Sequence, residues 1–276
     1  MANHKKQTSK SPIGIFDSGI GGLTVARAIN KIMPNEQLIY FGDTAHFPYG
    51  EKSPDSIKYY ALRISDFLLK QNCKMIVIAC NTASSVAYQT VKNQAGNKAL
   101  VVSVIEPVVN NVANQYKQGK IGVIATKGTI KSDIYNKRLK ELNTSLQVSS
   151  VATPLLAPMI EEGFYNNNIS RTVINSYLLK PKLKNIDALI LACTHYPLIR
   201  PEIEEYYKQK VKIIDSAEIV AEHVYALLKE HRLLNKDQGE KSKFYVSDYT
   251  DSFAKSTKIF YNNKIKLQYN PIWENE

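Results

Sequence analysis

The sequence predicts an α/β protein in which helices cover both faces of mainly parallel sheets. Three observations support this fold class: short apolar, β-branched segments alternate with longer stretches of helical period, the apolar segments are near-continuous, and two motifs occur twice. Near-continuous apolar strands are typical of parallel sheets that are buried on both faces. Two copies of one such unit would form two pseudo-symmetric, three-layer α/β domains.

Eight short apolar segments are the strongest strand candidates. We predict strands at Ile13–Asp17, Gln37–Gly42, Lys74–Cys80, Ala99–Val104, Lys120–Thr126, Leu146–Val151, Asp187–Cys193 and Lys212–Asp215. Two helix starts are marked: Ser53–Asp55 combines an N-cap residue, a proline and a carboxylate, and Asp215–Glu218 has the spacing of a capping box. In the C-terminal region, Lys243–Ser247 resembles a strand and Ser252–Tyr261 a helix.

The chain also repeats itself at a nearly constant offset. Ile13–Gly19 resembles Ile121–Gly128, and Met75–Thr82 resembles Ala188–His195, in the same order in both halves. This favours duplication of one α/β unit; the alternative is a chance likeness between buried strands. We predict three parts: a mobile tail at residues 1–10, a first domain at 11–106 plus 214–276, and a second domain at 107–213.

Composition limits the classes of function. The chain has 276 residues, of which 44% are hydrophobic, and a formal net charge of +11. No apolar run approaches the roughly 18 residues of a membrane span, and the polar N-terminus lacks a secretory signal pattern, so we expect a cytoplasmic protein without a membrane partner. Because the lysines are scattered rather than clustered, we interpret the charge as a solvated surface that helps to attract an acidic substrate. We expect no nucleic-acid partner.

Two of the three cysteines, Cys80 and Cys193, each end an apolar strand and precede small polar residues. Ligands bind at the carboxyl ends of strands in open parallel sheets, and two related halves would place these thiols on opposite sides of a cleft. One thiolate could then remove a proton from a carbon while the other thiol delivers one to the opposite face. The alternative is that both are packing residues, which is our interpretation of Cys73 at the start of a strand.

The glycine-rich segment Asp17–Thr24 follows the first strand and opens a helix. Its backbone N–H groups could hold a phosphate or a carboxylate, but the glycine spacing does not match the dinucleotide fingerprint. Asp17 is either functional or a turn residue, and His195 is close enough in the chain to assist Cys193. A zinc site from Cys80, Cys193 and His195 would lack the local ligand pairs of such sites, so we expect no metal.

Four segments together resemble the signature segments of glutamate racemases. They are Gly14–Gly22, Pro48–Gly50, Ala79–Thr82 and Ala192–Leu198, which follow the family's order. One departure is Thr153–Leu155, where many relatives carry a cysteine before Pro-Leu; this position is not one of the catalytic pair. Aspartate racemases share the two-cysteine logic but usually lack this set of segments, and they are the nearest alternative.

The resemblance implies interconversion of L- and D-glutamate in a cleft between two domains, without pyridoxal phosphate, metal or another cofactor, to supply D-glutamate for peptidoglycan. It implies that Cys80 and Cys193 are the catalytic thiols, and that Asp17 and His195 assist them and contact the substrate. Further positions that match substrate-contacting or family-typical residues are Ser18, Tyr49, Gly50, Asn81, Thr82, Thr126, Thr129, Glu161 and Thr194. A homodimer is compatible with the sequence, which does not predict an oligomeric state.

Two functions from other classes fit parts of the sequence. A two-lobed binding module could hold an amino acid without any reaction, and a nucleotide-dependent enzyme could use the glycine-rich turn. Neither needs a pair of thiols at matching strand ends, whereas proton transfer to both faces of a carbon does. We therefore predict an amino-acid racemase.

Overall fold

The computed structural model describes residues 7–261 and 265–274, and it contains two parallel sheets. Its strands are β1 (Ile13–Asp17), β2 (Leu38–Gly42), β3 (Met75–Ile78), β4 (Leu100–Ser103), β5 (Gly119–Ala125), β6 (Leu146–Ala152), β7 (Ala188–Ala192), β8 (Lys212–Asp215), β9 (Lys243–Val246) and β10 (Leu267–Tyr269). The first sheet has the order β10-β9-β2-β1-β3-β4 and the second β6-β5-β7-β8. Neighbouring strands run parallel in both sheets.

Helices connect these strands, which confirms the predicted α/β class. They are α1 (Leu23–Ile32), α2 (Pro54–Lys70), α3 (Asn81–Ala95), α4 (Ile105–Gln115), α5 (Lys127–Ser132), α6 (Ile134–Leu142), α7 (Leu156–Glu161), α8 (Asn168–Leu178), α9 (Arg200–Tyr206), α10 (Ser216–Glu230) and α11 (Asp251–Tyr261). Every residue of β1, β2, β3 and β7 is buried, as near-continuous apolar strands require. In the described part of the chain, no helix has the length and apolar character needed to cross a membrane.

The two sheets share one strand order over four strands. The order β2-β1-β3-β4 in the first sheet corresponds to β6-β5-β7-β8 in the second. The first repeated motif lies on β1 and β5 and the second on β3 and β7, so each pair occupies the same place in its sheet. This agreement confirms the prediction of two pseudo-symmetric units.

Most predicted strand limits agree with the structure within two residues. The strand before Cys80 ends earlier than predicted, at Ile78, because Cys80 is already the N-cap residue of α3. The predicted cap of α2 is present, since the Ser53 side chain accepts from the backbone N–H of Ser56. The Asp215 side chain caps α10 by accepting from the backbone N–H of Ala217 (2.8 Å), so this helix start is a simple N-cap rather than the predicted capping box.

The predicted tail at residues 1–10 lies largely outside the described residues. The described part of it contacts the first sheet: Gln7 Nε2 donates to the backbone oxygen of Cys73 (3.1 Å), and Lys74 Nζ donates to that of Ser9 (2.5 Å). The division at 11–106 plus 214–276 and 107–213 remains a proposal. It is supported by the assignment of β1–β4, β9 and β10 to one sheet and β5–β8 to the other.

Candidate active site

A small cavity of about 30 Å³ lies where the carboxyl ends of β1 and β3 meet those of β5 and β7. Both cysteines line it and are almost completely buried, with 5% of Cys80 and 6% of Cys193 exposed. The lining residues are Ser18, Phe47, Pro48, Tyr49, Gly50, Cys80, Asn81, Thr82, Thr126, Ala157, Ala192, Cys193, Thr194 and His195. The cavity therefore collects residues from both sheets around two thiols.

Cys80 lies at the N-terminus of α3, directly after β3. Its sulfur accepts from the backbone N–H of Ala83 (3.4 Å) and its thiol donates to Ser18 Oγ (3.6 Å). Burial, followed by the negative charge of Asp17, raises the pKa of Cys80 to about 12, although the contacts with Ala83 and Ser18 act in the opposite direction. The net effect of this environment favours the protonated thiol of Cys80.

Cys193 follows β7 and lies beside an imidazole. His195 Nδ1 is 3.7 Å from Cys193 Sγ, and His195 Nε2 is 2.7 Å from Glu161 Oε1. Burial opposes a charge on His195, but the hydrogen bonds to Cys193 and Glu161 outweigh it and raise the pKa of His195 well above its ordinary value. A cationic His195 can stabilise negative charge on the neighbouring sulfur.

Asp17 lies behind the cavity rather than on its surface. Its Oδ2 accepts from the backbone N–H groups of Gly19 (3.2 Å) and Gly22 (3.0 Å), whereas its Oδ1 is buried without a hydrogen-bond partner among the described residues. Burial raises the pKa of Asp17, against the attraction of His195. Asp17 thus fixes the glycine-rich turn and acts on Cys80 and His195 through its charge.

A cluster of three threonines joins the two units beside the cavity. Thr82 Oγ1, from the first unit, lies 2.8 Å from Thr126 Oγ1 and 3.2 Å from Thr129 Oγ1 of the second. Gly50 packs directly against this cluster, because a Cβ at Gly50 would lie 2.8 Å from Thr126 Cβ. At the surface, Lys127 and Glu51 form an ion pair of 3.3 Å between the same two segments.

The structure brings most of the predicted site residues to one place. Ser18, Tyr49, Gly50, Asn81, Thr82, Thr126, Thr194 and His195 line the cavity together with both cysteines. The remaining predicted residues are Asp17, Thr129 and Glu161, which are not among the lining residues and lie one layer behind them. Each of these three acts on a lining residue through a hydrogen bond or a charge.

Asp43 is a buried carboxylate beside the site that the sequence analysis missed. Its oxygens accept from Tyr49 Oη (2.6 Å), Ser247 Oγ (2.7 Å) and Trp273 Nε1 (3.0 Å), so it ties the cavity wall at Tyr49 to the C-terminal region. A usable signal exists in the sequence: Asp43 directly follows β2, in the same way that Asp17 closes β1. Polar residues at the carboxyl edge of a parallel sheet are candidates by position alone.

Comparison with known proteins decides the family. Residues 13–224 match the family model described as Asp/Glu/Hydantoin racemase. A glutamate racemase of Chlorobaculum parvum is 42% identical over 266 residues, which cover 96% of this chain and 97% of that protein. The chain belongs to the glutamate racemase family. It is thus an amino-acid racemase, as predicted.

Solved structures of the glutamate racemase family share the fold over nearly the whole chain. A crystal structure of glutamate racemase from Francisella tularensis, in complex with D-glutamate, has a TM-score of 0.90 at 39% identity and covers 96% of this chain and 99% of that one. An aspartate racemase homologue from Pyrococcus horikoshii is only 21% identical, with a TM-score of 0.57, and is similar in fold alone. By both sequence identity and TM-score, this chain is more similar to the glutamate racemase than to the aspartate racemase homologue.

Proposed function

We propose that this racemase interconverts L- and D-glutamate without a cofactor, by proton transfer between Cys80 and Cys193. The observation that carries the proposal is that both thiols line one small cavity, each at the matching strand end of two related sheets. The bound D-glutamate of the Francisella tularensis relative supports glutamate as the substrate. The full-length similarity to glutamate racemases supports it further.

The proposed step uses one thiolate and one thiol. The thiolate removes the proton from Cα of glutamate, and the electron pair of the broken C–H bond moves toward the α-carboxylate. The opposite thiol then donates its proton to Cα from the other face, so that a new C–H bond forms with inverted configuration. The two sulfurs end with exchanged protonation states, and reaction of the other enantiomer restores them.

The surroundings of the two sulfurs support this division of roles. Burial and the nearby charge of Asp17 raise the pKa of Cys80, which keeps it as the proton donor at rest. A cationic His195 beside Cys193 stabilises a thiolate there. The two-base step requires one thiol and one thiolate, and we assign the thiol to Cys80 and the thiolate to Cys193 beside His195.

Two groups of polar residues would hold the ends of the substrate. We place the α-carboxylate near Asn81 and Thr82 at the start of α3, where N–H groups stabilise negative charge. The side-chain carboxylate would lie near Ser18 and the Tyr49–Gly50 backbone on another wall of the cavity. Fixing both ends would hold Cα between the two sulfurs. Such positioning is the main requirement for removing a proton from carbon without a cofactor.

Substitution of either cavity cysteine tests the proposal. We expect Cys80→Ala and Cys193→Ala each to lower kcat for racemisation by about 10²–10⁴-fold or more, because each removes a proton-transfer group. Cys73→Ala is the matched control, since Cys73 is buried in the core and does not line the cavity. Polarimetry with L- and D-glutamate, and with L-aspartate for comparison, measures the effect. Wild-type turnover in either cavity variant would contradict the two-thiol mechanism.

We also propose that the product D-glutamate is used for peptidoglycan synthesis, in the cytoplasm. The support is the family membership and the absence of a membrane-spanning helix among the described residues. A homodimer is a further proposal, which sedimentation of the purified protein would test.

The alternative from the sequence is a two-lobed binding module. Binding of glutamate by the wild-type protein without any racemisation would favour that alternative.

A further inference from the structure

One hydrogen bond joins the substrate side of the cavity to the opposite unit. Tyr135, in α6 of the second unit, donates its hydroxyl to Asn81 Oδ1 at the start of α3 in the first unit, at 2.6 Å. Both residues are 97% buried, with 3% exposed in each case. The bond is short, desolvated and formed between residues 54 positions apart in the chain.

The other end of the Asn81 amide has no partner. Asn81 lines the cavity, and its Nδ2 is buried without a hydrogen bond within the described residues. Because the amide group is planar, an oxygen held by Tyr135 turns the two N–H donors to the other edge of the group. An unsatisfied buried donor costs free energy unless a ligand accepts from it, and the acceptor that the proposed substrate offers is a carboxylate oxygen.

Tyr135 also decides between the two orientations of the amide. When Asn81 Oδ1 faces the tyrosine, it accepts the single phenolic proton. If the amide were reversed, that proton would face the NH₂ group and would have no acceptor. Burial raises the pKa of Tyr135, so its hydroxyl keeps this proton throughout the neutral range. The tyrosine therefore selects the orientation in which Asn81 offers N–H donors to the cavity.

We propose that Tyr135 is a positioning residue that orients the Asn81 amide to bind a carboxylate group of the substrate. The inference rests on the proposed function, since it assumes that glutamate occupies the cavity. Because the two residues belong to different units, the hydrogen bond also joins the two sides of the cavity.

Removal of the Tyr135 hydroxyl tests the inference. We expect Tyr135→Phe to raise KM for glutamate by about tenfold, the scale of one lost buried hydrogen bond to a charged group, with a much smaller change in kcat. Tyr135→His, which retains an N–H donor, should recover part of the lost affinity. Tyr207→Phe is the matched control, because its hydroxyl donates to the backbone oxygen of Leu183 (3.4 Å), outside the cavity.

A double-mutant cycle separates orientation from general packing. In an Asn81→Ala background there is no amide to orient, so Tyr135→Phe should leave KM nearly unchanged. An equal rise in KM in both backgrounds, or no rise in the single variant, would overturn the inference. If Tyr135→Phe does not fold, the same cycle with Tyr135→Leu, which also lacks a donor, decides in the same way. Failure of the wild-type protein to racemise glutamate would instead count against the proposed function itself.

Discussion

At the scale of single residues, His195 is fixed by contacts on several sides of its ring. Its two ring nitrogens face Cys193 and Glu161, and its ring contacts Phe260 edge-on, with centroids 5.3 Å apart. Cys80 has a different environment, in which a hydroxyl and the start of a helix contact the sulfur. The two thiols are thus equivalent in the fold but not in their charge surroundings.

The charge on His195 should be visible in the pH dependence of catalysis. The hydrogen bonds to Cys193 and Glu161 raise its pKa against the opposing effect of burial, so the imidazolium persists to higher pH than an exposed histidine would. Glu161→Gln removes the negative partner and lowers that pKa. We expect the alkaline limb of the kcat/KM profile to move to lower pH, with activity on that limb reduced by about tenfold.

A neighbouring glutamate provides the control for this experiment. Glu162→Gln removes a charge from an exposed position beside Glu161 in the chain, and it should leave the profile unchanged. NMR titration of the His195 ring would show the same direction of change directly. An unchanged alkaline limb in Glu161→Gln would mean that the His195 cation has no part in the rate.

At the scale of elements, a buried lysine joins three segments at the amino end of the first sheet. Lys74 Nζ, just before β3, donates to Glu36 Oε2 (2.6 Å), to the backbone oxygen of Leu233 (2.8 Å) and to that of Ser9. Glu36 Oε1 in turn accepts from the backbone N–H of Asn235 (2.8 Å). The pair therefore fastens the segment after α10, where the chain returns to the first sheet, far from the candidate site.

Breaking this pair should destabilise the fold without a direct effect on chemistry. Lys74→Met would leave the Glu36 carboxylate buried without its cation, and we expect a loss of about 3–5 kcal/mol in the free energy of unfolding. Lys70→Met is the control, because the ion pair of Lys70 with Asp66 is largely exposed and should be worth about 1 kcal/mol or less. Urea unfolding measures both; equal losses would contradict the role of burial.

The same elements show which parts of the site could be predicted from the sequence and which could not. Cys80 and Cys193 could be placed at the site because apolar segments mark the strands, and the parallel-sheet rule then places their carboxyl ends. The contact of Tyr135 with Asn81 could not be predicted, because it depends on how the two units meet rather than on either segment. β10 was not predicted either, since three residues with one buried side chain leave no periodic signal.

At the scale of the whole molecule, the two related units place one thiol on each side of the cavity. A single unit could supply only one strand-terminal cysteine, so attack on both faces of a carbon needs the pair of units. The cavity of about 30 Å³ has room for only about two water molecules. We expect the cleft to widen when an amino acid enters, which would separate the Thr82 and Thr126 hydroxyls that lie 2.8 Å apart in the structure.

Incubation of the protein with L-glutamate in D₂O, without added cofactor, tests the central claim most directly. Two bases on opposite faces predict that deuterium from the solvent-exchanged thiol appears at Cα of the D-glutamate formed. The remaining L-glutamate should keep its hydrogen in the earliest phase of the reaction. Separation of the enantiomers followed by mass spectrometry measures both. Equal deuterium in unreacted L-glutamate would point to a single base, and no exchange at all would contradict the proposed racemase activity on glutamate.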